Sequence, residues 1–183
     1  MTERELIEGC INNKQEAQKK LFNLFAGKMM SVCLRYAPDT HQAQDILQEG
    51  FIRVFKSIHQ FRFEGNFEGW LRRVFATVAI RQVSRQKIHF INTDISDTTE
   101  HSIDAGVLAK ISADEINVLI RNMPDGYRTI FNLNVIEGYS HEEIATMLGI
   151  QATTSRGQLL KARKYLQVMI VKKYSIIKNT NNV

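Results

Sequence analysis

Apolar residues return every three or four positions along almost all of this 183-residue chain, and that rhythm fails once, between Ile88 and Lys110. A sustained helical period with no clean two-residue alternation calls for helices and leaves no place for a sheet. The interruption, "IHFINTDISDTTEHSIDAGVLAK", is rich in Ser, Thr, Asn and Asp, which is the composition of a connector. The expected fold is therefore all-α: two small helical domains, residues 1–88 and 111–178, joined by a flexible acidic linker at 89–110, with a frayed tail at 179–183. Two prolines occur, Pro38 and Pro124, and each stands where one helical pattern stops and another starts.

The same residues narrow the function classes. The first ten residues, "MTERELIEGC", are charged and lack the apolar core of a signal peptide, and no run approaches the roughly 18 apolar residues of a membrane helix. A cytoplasmic protein is expected. Cys10 and Cys33 are the only cysteines, and His41, His59, His89, His101 and His141 are scattered, so no metal, zinc site or disulfide framework is expected. The two thiols read as buried or idle, with a redox pair as the alternative. No nucleophile with a base and no cluster of metal-binding acids is evident, so neither an enzyme, a cofactor nor a small-molecule substrate is expected. A net charge of +5 and a pI near 9.3 suit an anionic partner, and the placement of the charge decides which.

Placement is clearest in the second block. Ser140 followed by Glu143 is a capping box that starts a helix, and Gly149 after Leu148 stops it. The next helix begins after Ile150 and Gln151, which makes a helix, a tight turn and a helix. At 100° per residue, Ser155, Leu159, Ala162 and Leu166 share one face and can pack against Ile144, Ala145 and Leu148. The opposite face collects Thr153, Arg156, Gly157, Leu160, Lys161 and Lys164, with Thr154 beside them and no acid. Such a face suits the major groove, where Arg and Lys meet phosphates or guanine edges. Gly157 in a helix interior costs roughly 1 kcal/mol against alanine, and on this face it lets a groove approach the backbone. A solvated basic face on an ordinary helical hairpin is the plainer alternative.

In the first block, "DTHQAQDILQEGFIRVFKSI" buries Ala43, Ile46, Leu47, Phe51, Val54 and Phe55, with Gly50 inside that stripe permitting close packing. Its other side shows Asp45, Glu49, Ile52 and Lys56, with Gln48 and Arg53 at the edges. An apolar centre in a polar rim is the anatomy of an interface, although single exposed isoleucines are also common. The segment "FRFEGNFEGW" then sets aromatics and glycines between helices. Phe61, Asn66 and Phe67 are candidates to stack on or hold an extruded base, with a core junction as the alternative for Phe67. In the following helix Leu71, Val74, Phe75 and Val78 turn inward, leaving Arg73, Thr77, Ile80, Ser84 and Lys87 on the far side and Arg81 beside them, a basic ledge for unstacked bases. Trp70 lies at the edge of the stripe, as core anchor or DNA wedge.

The run from Met123 to Leu166 resembles the C-terminal region of bacterial sigma factors of the extracytoplasmic-function class. "AQDILQEGFIRVFKSI" and "FEGNFEGWLRRVFATVAIRQVSRQK" resemble the polymerase-binding and promoter-melting segments of the same class. Together these matches cover roughly residues 15–170 in the family's order. The resemblance implies a protein that binds core RNA polymerase and directs it to promoter DNA. The second domain would read the minus-35 element as duplex through Thr153, Thr154, Arg156, Gly157, Leu160, Lys161 and Lys164. The first would melt and read the minus-10 element through Phe61, Asn66, Phe67, Arg73, Thr77, Ile80, Arg81 and Lys87. Asp45, Gln48, Glu49, Ile52, Arg53 and Lys56 would face the polymerase clamp helices. Three positions depart from relatives: Gly157 often stands as serine, Thr77 as asparagine, and Arg81 as an acid or amide. The class is commonly restrained by an anti-sigma factor, often membrane-bound, and its linker threads polymerase channels meant for nucleic acid, where Asp94, Asp97 and Asp104 would mimic a phosphate chain. A stand-alone helix-turn-helix regulator is the alternative, but it accounts for the second block alone. The segment "VMIVKKYSII" either extends the last helix or contacts a partner.

Overall fold

In the computed structural model the backbone is described at residues 1–85 and 111–180, and side chains at 1–82 and 111–173. Two compact units result, Met1–Lys87 and Ile88–Val183. The regular structure among the described residues is all helical, with no strand. The linker expected at 89–110, with Asp94, Asp97 and Asp104, and the last three residues of the tail lie outside the described residues.

Among its described residues the first unit holds four α-helices, α1 (Glu3–Ile11), α2 (Gln15–Tyr36), α3 (Thr40–Ser57) and α4 (Phe67–Arg85), and a 3-10 turn at Ile58–Gln60. Their starts follow from side chains that accept the orphan N–H groups of a first turn. Thr2 and Glu5 form a reciprocal capping box on α1, and Asp39, directly after Pro38, accepts the Gln42 N–H at 2.8 Å to begin α3. Helices α2, α3 and α4 pack mutually, and α1 lies on α2. The core between them includes Leu21, Met29, Val32, Ile46, Val54, Leu71 and Phe75, each essentially inaccessible to solvent. Cys10 and Cys33 are both buried free thiols, and burial pushes them up to about 11 and about 12, which leaves both as protonated, inert core residues.

Gly50 sets the distance between α3 and α4. A Cβ there would stand 2.2, 2.5 and 2.7 Å from three atoms of the Phe75 ring. The ring thus lies directly on the α3 backbone, with the Phe51 ring edge-on to it at 5.2 Å. Leu47, Phe55 and Val74, expected inside, are only half-buried. Helix α4 departs further from expectation, because it is flanked by both α2 and α3 and so buries a broader stripe than a helix resting on one neighbour: Ala76, Ala79 and Ile80 join Leu71, Phe75 and Val78 in the core.

Among its described residues the second unit comprises α5 (Ala113–Arg121), α6 (Asp125–Phe131), a π turn at Asn132–Ile136, α7 (His141–Leu148) and α8 (Ala152–Thr180). Helix α8 packs against α5, α6 and α7. "VMIVKKYSII" extends it, with Ile170 buried. At the far end Lys173 donates to Glu115 at 2.8 Å, and Ser112 caps α5 through the same glutamate. The lysine bond, aided by the Ser112 bonds, holds the Glu115 carboxyl down at about 2.

Two outcomes follow from this packing. Gly50→Ala lowers the stability of the first unit by about 1–3 kcal/mol through overpacking, whereas Gly157→Ala, whose Cβ meets nothing within 4 Å, raises that of the second by about 0.5–1 kcal/mol. Denaturant titration checks both, with Trp70, the chain's single tryptophan, reporting the first unit. Because the Glu115 carboxyl titrates lower in the folded chain than its ordinary 4.5, its contribution is complete above about pH 4.5 and disappears as pH falls toward 2. Amide exchange in α5 and α8 should accelerate across that window, and Glu115→Gln should flatten the change.

Candidate nucleic-acid interface

The second unit presents its basic face through a helix-turn-helix. The Ser140 hydroxyl accepts the Glu143 N–H at 3.2 Å while the Glu143 carboxylate accepts the Ser140 N–H at 2.8 Å, which starts α7 at a fixed point. Gly149 ends it in the left-handed region, φ 66° and ψ 36°, as glycine does readily. Helix α8 then turns Ser155, Gln158, Leu159 and Ala162 into the core, facing the buried Ile144. Thr153, Thr154, Arg156, Gly157 and Lys164 are exposed, Leu160 is 59% exposed, and Lys161 is half-buried. An aliphatic side chain that open, between Arg156 and Lys164 on a cationic row, offers apolar contact of the sort a thymine methyl accepts. Arg156 also carries an ion pair to Glu142 on α7, so an acid from the neighbouring helix reaches a face that α8 itself keeps free of acids.

In the first unit the aromatic segment is built differently from expectation. Phe61 and Phe67 are buried, at 7% and 1% exposure, in a cluster with Phe25 and the half-buried Trp70; the Phe67 and Trp70 rings stack at 5.7 Å and 17°. Neither ring is available to a base. The reason is the packing of α2 against α4, which needs apolar filling where the chain enters α4. The exposed ring of this segment is Phe63, 40% accessible at φ 59°, with the Arg4 guanidinium of α1 5.0 Å from its centroid. An aromatic residue in the left-handed region is uncommon and costs about 1–2 kcal/mol, strain that tends to gather in functional loops. Asn66 caps α4, its side-chain oxygen accepting the Gly69 N–H at 3.2 Å. Beside it Glu68 accepts from Lys28 at 2.6 Å and from Arg72 at 3.0 Å, which ties α2 to α4 and lowers the glutamate's titration.

Along α4, Arg73 and Arg81 are exposed. Ile80 is 2% exposed and belongs to the core, for the reason given by the broad stripe of α4. Thr77 is half-buried and its hydroxyl donates to the Arg73 carbonyl at 2.8 Å, a bond within its own helix. Lys87 lies outside the described residues.

On α3, Asp45, Gln48, Glu49, Ile52, Arg53 and Lys56 are all exposed, Ile52 by 47%. Ile52 forms one wall of a shallow groove of about 510 Å³ with Ile11, Phe55 and Ile58. Among the described residues no group of His, Cys, Asp or Glu is placed to hold a metal ion, and no helix is long and apolar enough to cross a membrane.

Comparison with known proteins matches residues 21–88 to Sigma-70 region 2 and residues 113–166 to Sigma-70, region 4. The chain belongs to the sigma-70 family. It is 27% identical to the ECF RNA polymerase sigma-E factor of Haemophilus influenzae, over 91% of this chain and 96% of that protein. It is 28% identical to the ECF RNA polymerase sigma factor SigW of Bacillus subtilis, over 90% and 94%. These relatives put it in the extracytoplasmic-function class. Among solved structures its fold is similar to that of CnrH in complex with the cytosolic domain of CnrY, at TM-score 0.50 and 18% identity, over 92% of this chain and 97% of that one. It is similar also to the sigma factor RpoE in complex with the anti-sigma factor NepR from Bartonella quintana, at TM-score 0.50 and 16% identity, over 84% and 96%. The protein is thus a sigma factor, a class of initiation factors that act with RNA polymerase rather than as enzymes.

Within this sigma factor, residue-by-residue reasoning missed three things. Phe63 carries no sequence signal, since nothing marks an aromatic residue for a positive φ. Phe22 and Leu24, 42% and 56% exposed on α2, lie outside every segment the sequence singled out, and Phe22 meets Phe51 at 4.7 Å. Glu142 sits on a different helix from the face it reaches. The aromatic assignments separate cleanly by mutation: Phe67→Ala destabilises the first unit by about 3–5 kcal/mol, while Phe63→Ala changes it by less than about 1 kcal/mol. Thermal unfolding followed by Trp70 fluorescence distinguishes them.

Proposed function

We propose that this sigma factor reads the minus-35 element with the exposed row of α8, Thr153, Thr154, Arg156, Gly157, Leu160, Lys161 and Lys164. The observation that carries the reading is that row: cations flanking an open Leu160 and a Gly157 with empty space before it, in the region 4 match. Phosphates and guanine edges account for the cations, and close groove approach accounts for the glycine. In the first unit the minus-10 strand is held by Phe63, Asn66, Arg73 and Arg81, with Lys87 as a further phosphate contact. Phe63 takes the stacking role, because Phe61 and Phe67 support the loop from inside. Polymerase docks on the α3 face of Asp45, Gln48, Glu49, Ile52, Arg53 and Lys56, whose apolar centre and charged rim suit a protein partner.

The protein works in the cytoplasm with core polymerase and promoter DNA, without an enzymatic activity of its own. An anti-sigma factor restrains it: the two solved structures named above were determined with a partner, and one of those partners is named an anti-sigma factor.

The test is run-off transcription from a genomic promoter library, with core polymerase from the source organism. Addition of the full chain should yield discrete transcripts sharing upstream elements. Arg156→Ala with Lys161→Ala should cut them at least roughly tenfold while core binding persists. Ile52→Asp should weaken core binding itself by roughly tenfold or more. Phe63→Ala should bind the closed promoter normally and reduce permanganate reactivity of the melted strand. Absence of core binding by the wild-type chain would overturn the assignment in favour of an independent DNA-binding regulator.

A further inference from the structure

Two bonds join the start of α7 to the start of α8, and they are consecutive. His141 Nδ1 meets Ser155 Oγ at 2.8 Å, with Ser155 completely buried. One residue along on each helix, Arg156 Nη2 donates to Glu142 Oε1 at 2.5 Å, with the side chains 54% and 66% exposed. The inner bond fixes how α7 sits on α8. The outer bond adds little to that, since exposed ion pairs contribute little to stability. Its consequence falls on the surface, where it fixes the place and plane of one guanidinium on the basic row.

We propose that Glu142 is a specificity-determining positioning residue, which holds Arg156 for bidentate reading of a guanine and weakens binding where that guanine is missing. The inference rests on α8 being the recognition helix. A guanidinium has five N–H donors in a planar fork, so one held through Nη2 keeps an edge for guanine O6 and N7. Pre-setting a long, rotamer-rich side chain removes part of the entropy lost on binding. On a duplex without the guanine, Arg156 gains most by swinging to a phosphate. That leaves the Glu142 carboxylate unpaired beside the anionic backbone, a repulsive element of the kind that separates right from wrong partners.

The experiment is selection from duplexes randomised across the minus-35 region, bound by holoenzyme carrying the full chain as wild type, Arg156→Ala, Glu142→Ala or Glu142→Gln. Wild type should enrich a defined element, and the guanine lost in Arg156→Ala identifies the base pair that Arg156 reads. Glu142→Ala should lower the preference at that pair by roughly three- to tenfold, part of the roughly five- to 150-fold a bidentate contact supplies, and leave other positions unchanged. Glu142→Gln, which keeps an acceptor but no charge, should retain more of that preference and bind an unrelated duplex several-fold more tightly. A Glu142→Ala profile identical to wild type, an equal loss at every position, or an Arg156→Ala profile that loses no base would overturn the proposal. No enriched element with the wild-type chain would instead overturn the reading of α8 itself.

Discussion

The contact between the Phe75 ring and the Cα of Gly50 governs the first unit. Because no Cβ intervenes, α3 and α4 lie closer than two helices bearing ordinary side chains at that point. Closeness has two results. It presses α4 into the angle between α2 and α3, so that residues on three sides of α4 enter the core. It also turns the Ala43, Ile46, Gly50 and Val54 side of α3 into the core, which leaves Asp45, Glu49, Ile52 and Lys56 outside. The outward face of α3 is in that sense a product of its inward face: a ring filling the space of one absent methyl settles which residues a partner can touch.

A comparable economy of small residues operates in the second unit, with the opposite purpose. Ser155 and Ala162 are buried where α7 meets α8, and they let α8 lie close to its neighbour. Gly157 faces open space, so its missing side chain serves nothing within the fold. A helix-interior glycine that the fold does not use lowers stability by roughly 1 kcal/mol. Two absent side chains on neighbouring stretches of sequence structure thus have different physical readings, and the surrounding atoms decide between them.

Local signals were legible where the physics is local. Ser140 with Glu143, Gly149 and the two prolines mark helix ends through bonds made within a few residues, and the structure shows those ends. The α8 faces were legible in part: period alone places Ser155, Leu159 and Ala162 inside and Arg156, Leu160 and Lys164 outside, while the buried Gln158 carries no such signal. Ile80 and Phe61 were not legible, and for Phe67 the sequence left base contact and core junction both open. Whether an apolar residue at the edge of a stripe is buried depends on how many helices flank its own, and that number belongs to the tertiary arrangement. Thr77 illustrates the same limit for a polar group, since its hydroxyl has a partner in its own helix and no spacing rule distinguishes that from an outward donor. Phe63 is a further case, since its φ is imposed by a loop closed between the Ile58–Gln60 turn and the Asn66 cap.

The proposed recognition surfaces are built from contacts of little worth to the fold. The Glu142 to Arg156 pair and the exposed residues of α3 can be lost or exchanged without threatening either core, because solvent screens the first and nothing internal depends on the second. The groups beneath them are of the other kind: Ser155 under Arg156, Phe61 against Phe63 at 5.3 Å, Phe51 beside Ile52, all three supports buried. Each proposed contact therefore stands one residue or one ring away from an immobile support. On the proposed reading the exposed residues of α3 exchange solvent for polymerase, the Glu142 to Arg156 pair persists beside its guanine, and the buried supports keep both surfaces in place.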